Sequence, residues 1–191
     1  TLSSGWYYSF LEEKNQDHIN FVYENKFSKA RNSYKIYDLD KTKYKSLELG
    51  IATIKHINQS FKGDIRVVTN VPEKSGLGGS SSFLISLIKA LIKTTKQTNI
   101  TPEKIARLGY YIEREILGIK GGYQDQWAAA FGGGVNYLEF KKDNVFLEPL
   151  WLSERLMQKL ENSLVLFFIE PRKGDSGNIH RELEEKIKND K

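Results

Sequence analysis

The hydrophobic and polar positions fall into segments of two periods. His18 to Tyr23 and Ser33 to Leu39 are dense in β-branched and aromatic residues, and a polar stretch separates them, which predicts two early strands. From Lys45 to Ser60, Leu47, Ile51, Ile54 and Ile57 recur at helical spacing with polar residues between them, the pattern of an amphipathic helix. Gly63 breaks that pattern. Asp64 to Asn70 then alternates around Ile65, Val67 and Val68 and predicts a strand running into Val71-Pro72. A glycine-rich stretch follows, and Phe83 to Lys93 carries apolar residues at helical intervals, so the implied order is strand, glycine-rich loop, helix. Thr101-Pro102-Glu103 supplies an N-cap, a proline at the first helical position and an acidic first turn, predicting a helix from Pro102 to Leu117 that stops at Gly118. A second glycine-bounded segment, Gly121 to Gly134, holds a short alanine-rich helical core. Val135 to Phe140 and Val145 to Leu150 predict a hairpin with its turn at Asp143-Asn144. Ser153 to Asn162 reads as a helix, Ser163 to Ile169 as a buried strand and Ser176 to Lys191 as a charged helix.

Composition narrows the class. At 191 residues and 39 % hydrophobic content, the chain can bury one full core or two small ones. Aromatic residues at 12 % and charged residues at 28 %, with both signs mixed, argue against disorder. No apolar run approaches the ~18 residues that cross a bilayer, so no membrane association is expected. Thr1 to Phe10 lacks a basic stretch followed by an apolar one, and the reading is of a cytoplasmic protein. The absence of cysteine excludes disulfides, thiol nucleophiles and thiolate zinc sites. His18, His56 and His180 lack metal-ligand spacing. A net charge of +5 suits an anionic ligand, nucleic acid or merely a solvated face. Nucleic acid is disfavoured because Lys93 and Lys96, or Lys141 and Lys142, form isolated pairs rather than a stripe.

Chemistry concentrates in two places. Gly76, Gly78 and Gly79 let the backbone turn tightly and bring bare amides close to a ligand. Ser80, Ser81 and Ser82 stand where a helix begins, so amides, hydroxyls and the positive end of the helix dipole converge on a volume suited to phosphate. The alternative is a turn followed by an N-capping serine cluster. The segment has no Gly-Lys-Ser/Thr ending and is no Walker A loop. Downstream, Asp125 lies between Gln124 and Gln126 and suits a general base for a hydroxyl proton, though taken alone it fits better as a cap on a Gln126–Phe131 helix. Glu113, beside Arg114 and Glu115, reads in isolation as half of a surface ion pair.

The segment Pro72-x-x-x-Gly-Leu-Gly-Gly-Ser-Ser-Ser82 resembles the phosphate-binding motif Pro-x-x-x-Gly-Leu-Gly-Ser-Ser-Ala of the GHMP kinases. Ile112-Glu-Arg-Glu-Ile-Leu-Gly118 and Gly121-Gly-Tyr-Gln-Asp-Gln-Trp-Ala-Ala-Ala-Phe-Gly-Gly133 resemble that family's sugar-kinase branch, and within it the heptose 7-phosphate kinases. Similarity runs from about Phe21 to Glu185. The resemblance implies an α+β fold: a ribosomal-protein-S5-like mixed sheet with helices over 1–150, lacking its first strand-loop motif, then the start of a ferredoxin-like domain over 151–191. It implies ATP against Pro72, Ser75, Gly76, Leu77, Gly78, Gly79, Ser80, Ser81 and Ser82, with Mg²⁺ between Ser80 and Glu113. Asp125 would act on the acceptor hydroxyl, which in heptose 7-phosphate is the anomeric one at C1. Gly121, Gly122, Tyr123, Gln124 and Gln126 would contact the sugar; Arg172, with Lys173, would grip its phosphate unless these form a basic turn in solvent. A homodimer is compatible with this reading. Three departures are visible: Gly79 replaces the family's usual serine, the N-terminal Arg/Lys-x-Ser-x-x-Gly-Gly-Gly-type motif has no counterpart, and neither has the C-terminal glycine-rich loop. They keep a second reading in view, a nucleotide-binding module without turnover.

Overall fold

A computed structural model describes residues 7–97, 99–142, 144–167, 169 and 185–187. The chain builds a four-stranded mixed sheet from β1 (Tyr7–Glu13), β2 (Ile19–Asn25), β3 (Ala30–Ile36) and β4 (Gly63–Thr69), in the order β1-β4-β2-β3. β4 runs antiparallel to β1 and parallel to β2, and β3 returns antiparallel to β2. The register places Ile65 between Leu11 and Phe21, so all three line one face. That face packs on Ile51 and Ile54 of α1 (Glu48–Asn58) and on Leu87 and Leu91 of α2 (Gly79–Ile92).

The opposite side of α2 carries Leu84, Ile85, Ile88 and Ile92 into a second core. There they meet Ile105 and Ala106 of α3 (Pro102–Tyr110), then Ile112, and Trp127, Ala129 and Ala130 of α4 (Gln124–Phe131). The hairpin of β5 (Val135–Lys141) and β6 (Asn144–Leu150) lays Leu138, Val145 and Leu147 against that second core. Leu84, Leu87, Ile88 and Leu91 are fully buried, each contributing about 1.5–3 kcal/mol. Helix α2 is thus clamped from both sides, and the direction of its N-terminus is fixed. α3 starts as expected, with Thr101 Oγ1 accepting from Lys104 N (3.3 Å) and Pro102 in the first turn. α5 (Glu154–Asn162) starts likewise at Ser153, whose Oγ accepts from Leu156 N (3.3 Å).

Several expectations need correction. β1 was not anticipated, because aromatic residues occupy both of its faces and blur the period-two signal: Tyr7 and Leu11 pack inward while Tyr8 and Phe10 are exposed. The second early strand begins three residues before Ser33, since Asn25 pairs with Ala30 across a short loop in which Lys29 adopts a left-handed backbone. The hairpin turn lies one residue earlier than Asp143-Asn144: Lys141 pairs with Asn144, and Lys142 takes the left-handed conformation. The α3 helix does not continue regularly to Leu117 but widens into a π-helical turn over Tyr111–Ile116. No strand forms among the described residues of 163–169. Leu164, Val165, Leu166, Phe167 and Ile169 are exposed, and an apolar run becomes a strand only where a neighbour pairs with it. Of the helix expected over Ser176–Lys191, Glu185 to Ile187 are helical and the remainder lies outside the described residues. Among the described residues no helix is long and apolar enough to cross a membrane.

Candidate functional site

The strand-loop-helix unit from β4 to α2 turns on two glycines. Gly76 (φ 78°) and Gly78 (φ 73°) lie in the left-handed region, where a Cβ is disfavoured. Gly78 is itself the N-cap of α2, and its carbonyl accepts the amide of Ser82 at 2.9 Å. No serine side chain caps the helix, so the N-capping alternative does not describe this segment. The amides of Gly79, Ser80 and Ser81 precede the first intrahelical bond and are the orphan donors of a helix start, where the dipole favours an anion.

The serines turn instead to one carboxylate. Ser80 Oγ donates to Glu113 Oε1 (3.2 Å) and Ser81 Oγ to Glu113 Oε2 (3.1 Å). Glu113 is 2 % exposed, not a surface ion-pair partner. It comes from the π-helical turn, a local widening that recurs at functional sites. Gln126 Nε2 donates to Glu113 Oε2 at 2.6 Å, and Arg114 Nη1 lies 3.5 Å from Oε1. Arg114 also donates to the carbonyls of Ile119 (3.1 Å) and Gly122 (3.3 Å), tying the 119–122 loop to the carboxylate. A Cβ at Gly121 would come within 2.6 Å of that guanidinium, which is a physical reason for glycine there.

Gln126, expected at the sugar, is fully buried with its amide committed to Glu113, because its neighbours Trp127 to Ala130 are core residues that draw it inward. Asp125, next to it, lies half-buried in the first turn of α4; the N-cap is Tyr123, so Asp125 does not cap this helix. Gln124 and Gly122 are exposed beside it. Tyr123 stacks on Tyr110 with ring centroids 4.0 Å apart, and Phe140 flanks it at 6.4 Å. The hydrogen bond to Tyr123, with burial, pushes the Tyr110 hydroxyl up to about 12. Pro72, Ser75 and Leu77 are half-buried along the loop. Arg172 and Lys173 lie outside the described residues. Sequence reasoning missed Arg114 and Gln126 as partners of Glu113; an Arg-Glu neighbour pair and a glutamine carry no signal that they will converge.

The arrangement fits a metal-bound polyphosphate. One carboxylate with a hydroxyl is a hard-oxygen set suited to Mg²⁺, which leaves its other positions to phosphate and water. No group of three or more His, Cys, Asp or Glu that could hold a metal by itself occurs among the described residues, so phosphate oxygens would have to complete the shell. Ser82 Oγ is buried without a partner among the described residues, and so is Gln126 Oε1, which leaves the polar network around Glu113 with an unused acceptor.

Residues 44–133 match the family model of the GHMP kinases N terminal domain. The fold agrees. A crystal structure of a D-glycero-D-manno-heptose 1-phosphate kinase from Bacteriodes thetaiotaomicron superposes with a TM-score of 0.66 at 31 % identity, over 81 % of this chain and 51 % of that one. The D-glycero-alpha-D-manno-heptose 7-phosphate kinase of Campylobacter jejuni is 42 % identical over 105 residues, covering 54 % of this chain and 30 % of the relative. The galactokinase of Pyrococcus furiosus is 32 % identical over 104 residues, covering 54 % and 27 %. The chain therefore spans about a third or less of these sequence relatives and half of the solved one.

Proposed function

We propose that the chain is the phosphate-binding part of a sugar-phosphate kinase that moves the γ-phosphoryl group of ATP to the anomeric C1 hydroxyl of D-glycero-D-manno-heptose 7-phosphate. The observation that carries this reading is the convergence of Ser80 and Ser81, at the start of α2, on the buried Glu113 of the π-helical turn. Residues up to 150 form the nucleotide-binding unit, and those from 151 begin the second domain.

In this reading the backbone amides from Gly76 to Ser81 hold the β- and γ-phosphates, with Pro72, Ser75 and Leu77 shaping the loop, while the Ser82 amide is already bonded to the Gly78 carbonyl. Ser80 and Glu113 hold Mg²⁺, which when bound neutralises charge on the phosphates. Gln126 and Arg114 keep the Glu113 carboxylate aimed at Ser80 rather than touching sugar. Asp125 accepts the proton of the C1 hydroxyl as its oxygen bonds to the γ-phosphorus. The bond between that phosphorus and the β–γ bridging oxygen breaks, and ADP leaves. Gln124, Tyr123 and the backbone of Gly121 and Gly122 orient the sugar hydroxyls, and Arg172 takes the C7 phosphate. A cavity of about 690 Å³ beside the end of the π-helical turn, lined by Leu39, Tyr44, Ile51, His56 and Leu117, has the volume and apolar walls for the nucleoside.

The full-length protein carrying Asp125→Asn should lose about 10²–10⁴ in kcat/KM for heptose 7-phosphate while retaining MgATP binding in calorimetry. A value within about twofold of the parent overturns the base assignment. A parent that binds MgATP and turns over no sugar phosphate supports the non-catalytic module instead.

A further inference from the structure

Tyr7 opens β1 with its side chain on the helix side of the sheet, directly paired in register with Thr69 of β4. Its ring meets the edge of Phe83 at 6.2 Å, which holds it beneath the first turn of α2. A Cβ placed on Gly79 would lie 3.3 Å from the Tyr7 hydroxyl oxygen and 3.9 Å from its Cε2. The phenol thus occupies the space into which a side chain at position 79 would project, at the first residue of the helix whose orphan amides form the cradle. Ser80 and Ser81 have turned their hydroxyls to Glu113, so the hydroxyl beside Gly79 comes from the sheet, not from the loop.

The surroundings of Tyr7 determine what its hydroxyl does. Tyr23 and Thr69 are its polar neighbours, and the Glu73 carboxylate lies within electrostatic reach. Thr69 Oγ1 accepts from the amide of Val71 (3.4 Å). A phenol has one proton to donate, and an anionic phosphate oxygen is a stronger acceptor than the neutral hydroxyls of Tyr23 and Thr69. Burial pushes both phenols up, so Tyr7 remains protonated at neutral pH.

We propose that the Tyr7 hydroxyl is a phosphate-binding donor of the cradle, reaching beside Gly79 to an anionic oxygen of the bound nucleoside triphosphate. This rests on the reading of the cradle as an ATP site. The test is calorimetric titration of MgATP into four forms of the full-length protein: parent, Tyr7→Phe, Gly79→Ser and the double variant. Tyr7→Phe keeps the ring on Phe83 and removes the hydroxyl; it should weaken MgATP about tenfold, the loss expected for one hydrogen bond to a charged group. In the double variant the serine hydroxyl enters the vacated space and should restore affinity to within about threefold of the parent. A Tyr7→Phe protein that binds MgATP within twofold of the parent overturns the proposal. So does weakened binding that Gly79→Ser fails to rescue, since a merely structural tyrosine would not be replaced by a hydroxyl on the loop. A parent that binds no MgATP overturns the kinase reading itself and this proposal with it, a result distinct from unchanged affinity in the variant.

Discussion

Replacing Glu113 by alanine removes the acceptor on which four side chains converge. Ser80 is exposed and can turn to water at little cost. Ser81 and Gln126 are buried, and their donors, at 3.1 and 2.6 Å from Oε2, would be stranded. A stranded buried donor costs about 1–3 kcal/mol. Arg114 keeps its bonds to the Ile119 and Gly122 carbonyls but loses the carboxylate at 3.5 Å, with a side chain only 11 % exposed. Removing one member of a buried ion pair costs about 3–5 kcal/mol. These losses share one cavity and overlap, and water entering it offsets part of them, so the expected total is about 3–5 kcal/mol. For a chain of this length that lowers Tm by on the order of 10 °C. Glu113→Gln keeps the volume and one acceptor but turns an amide toward donors, and should cost about 1–3 kcal/mol. Urea unfolding followed by circular dichroism gives both values. If Glu113→Ala costs under about 1 kcal/mol, the carboxylate is not the hub that its contacts suggest. The same variants should flatten the Mg²⁺ dependence of ATP binding.

Two further outcomes test the scaffold beneath the site. A Cβ at Gly63 (φ 140°) would lie 2.1 Å from the Glu12 carbonyl oxygen, so Gly63→Ala should push β1 off β4 and cost about 3 kcal/mol or more in urea unfolding. Glu24, buried on β2, has Arg66 Nη2 at 2.8 Å and Lys26 Nζ at 3.1 Å, which hold its carboxyl at about 2 instead of 4.5. A depressed pKa adds stability above pH 4.5 that disappears as pH falls through about 2, so Glu24→Gln should flatten the acid limb of stability between about pH 5 and pH 2. An unchanged limb in a pH series of denaturation midpoints would refute that role.

Local order in this chain is written locally. The helical spacing from Leu47 to Ile57, the Thr101-Pro102 start and the Pro72-to-Ser82 glycine-serine stretch each act within a few residues, through periodicity, capping and backbone freedom. The sequence alone was therefore enough to place α1, α3, β4 and the loop that opens α2. β1 carries no clear strand signal, and the apolar run at 163–169 carries one that its described residues do not follow, for the opposite reason. Pairing with a distant neighbour decides whether such a segment is a strand, and neighbours are not encoded in the segment. The site divides along the same line. Gly76, Gly78 and the serines announce a cradle by composition, yet only the tertiary structure decided that Ser80, Ser81 and Gln126 close on Glu113, 13 to 33 residues away along the chain. It likewise decided that Gln126 faces inward and that a tyrosine from an unforeseen edge strand fills the space beside Gly79. Such convergence depends on how the two sides of α2 pack, a property of the folded whole that no single stretch of sequence contains.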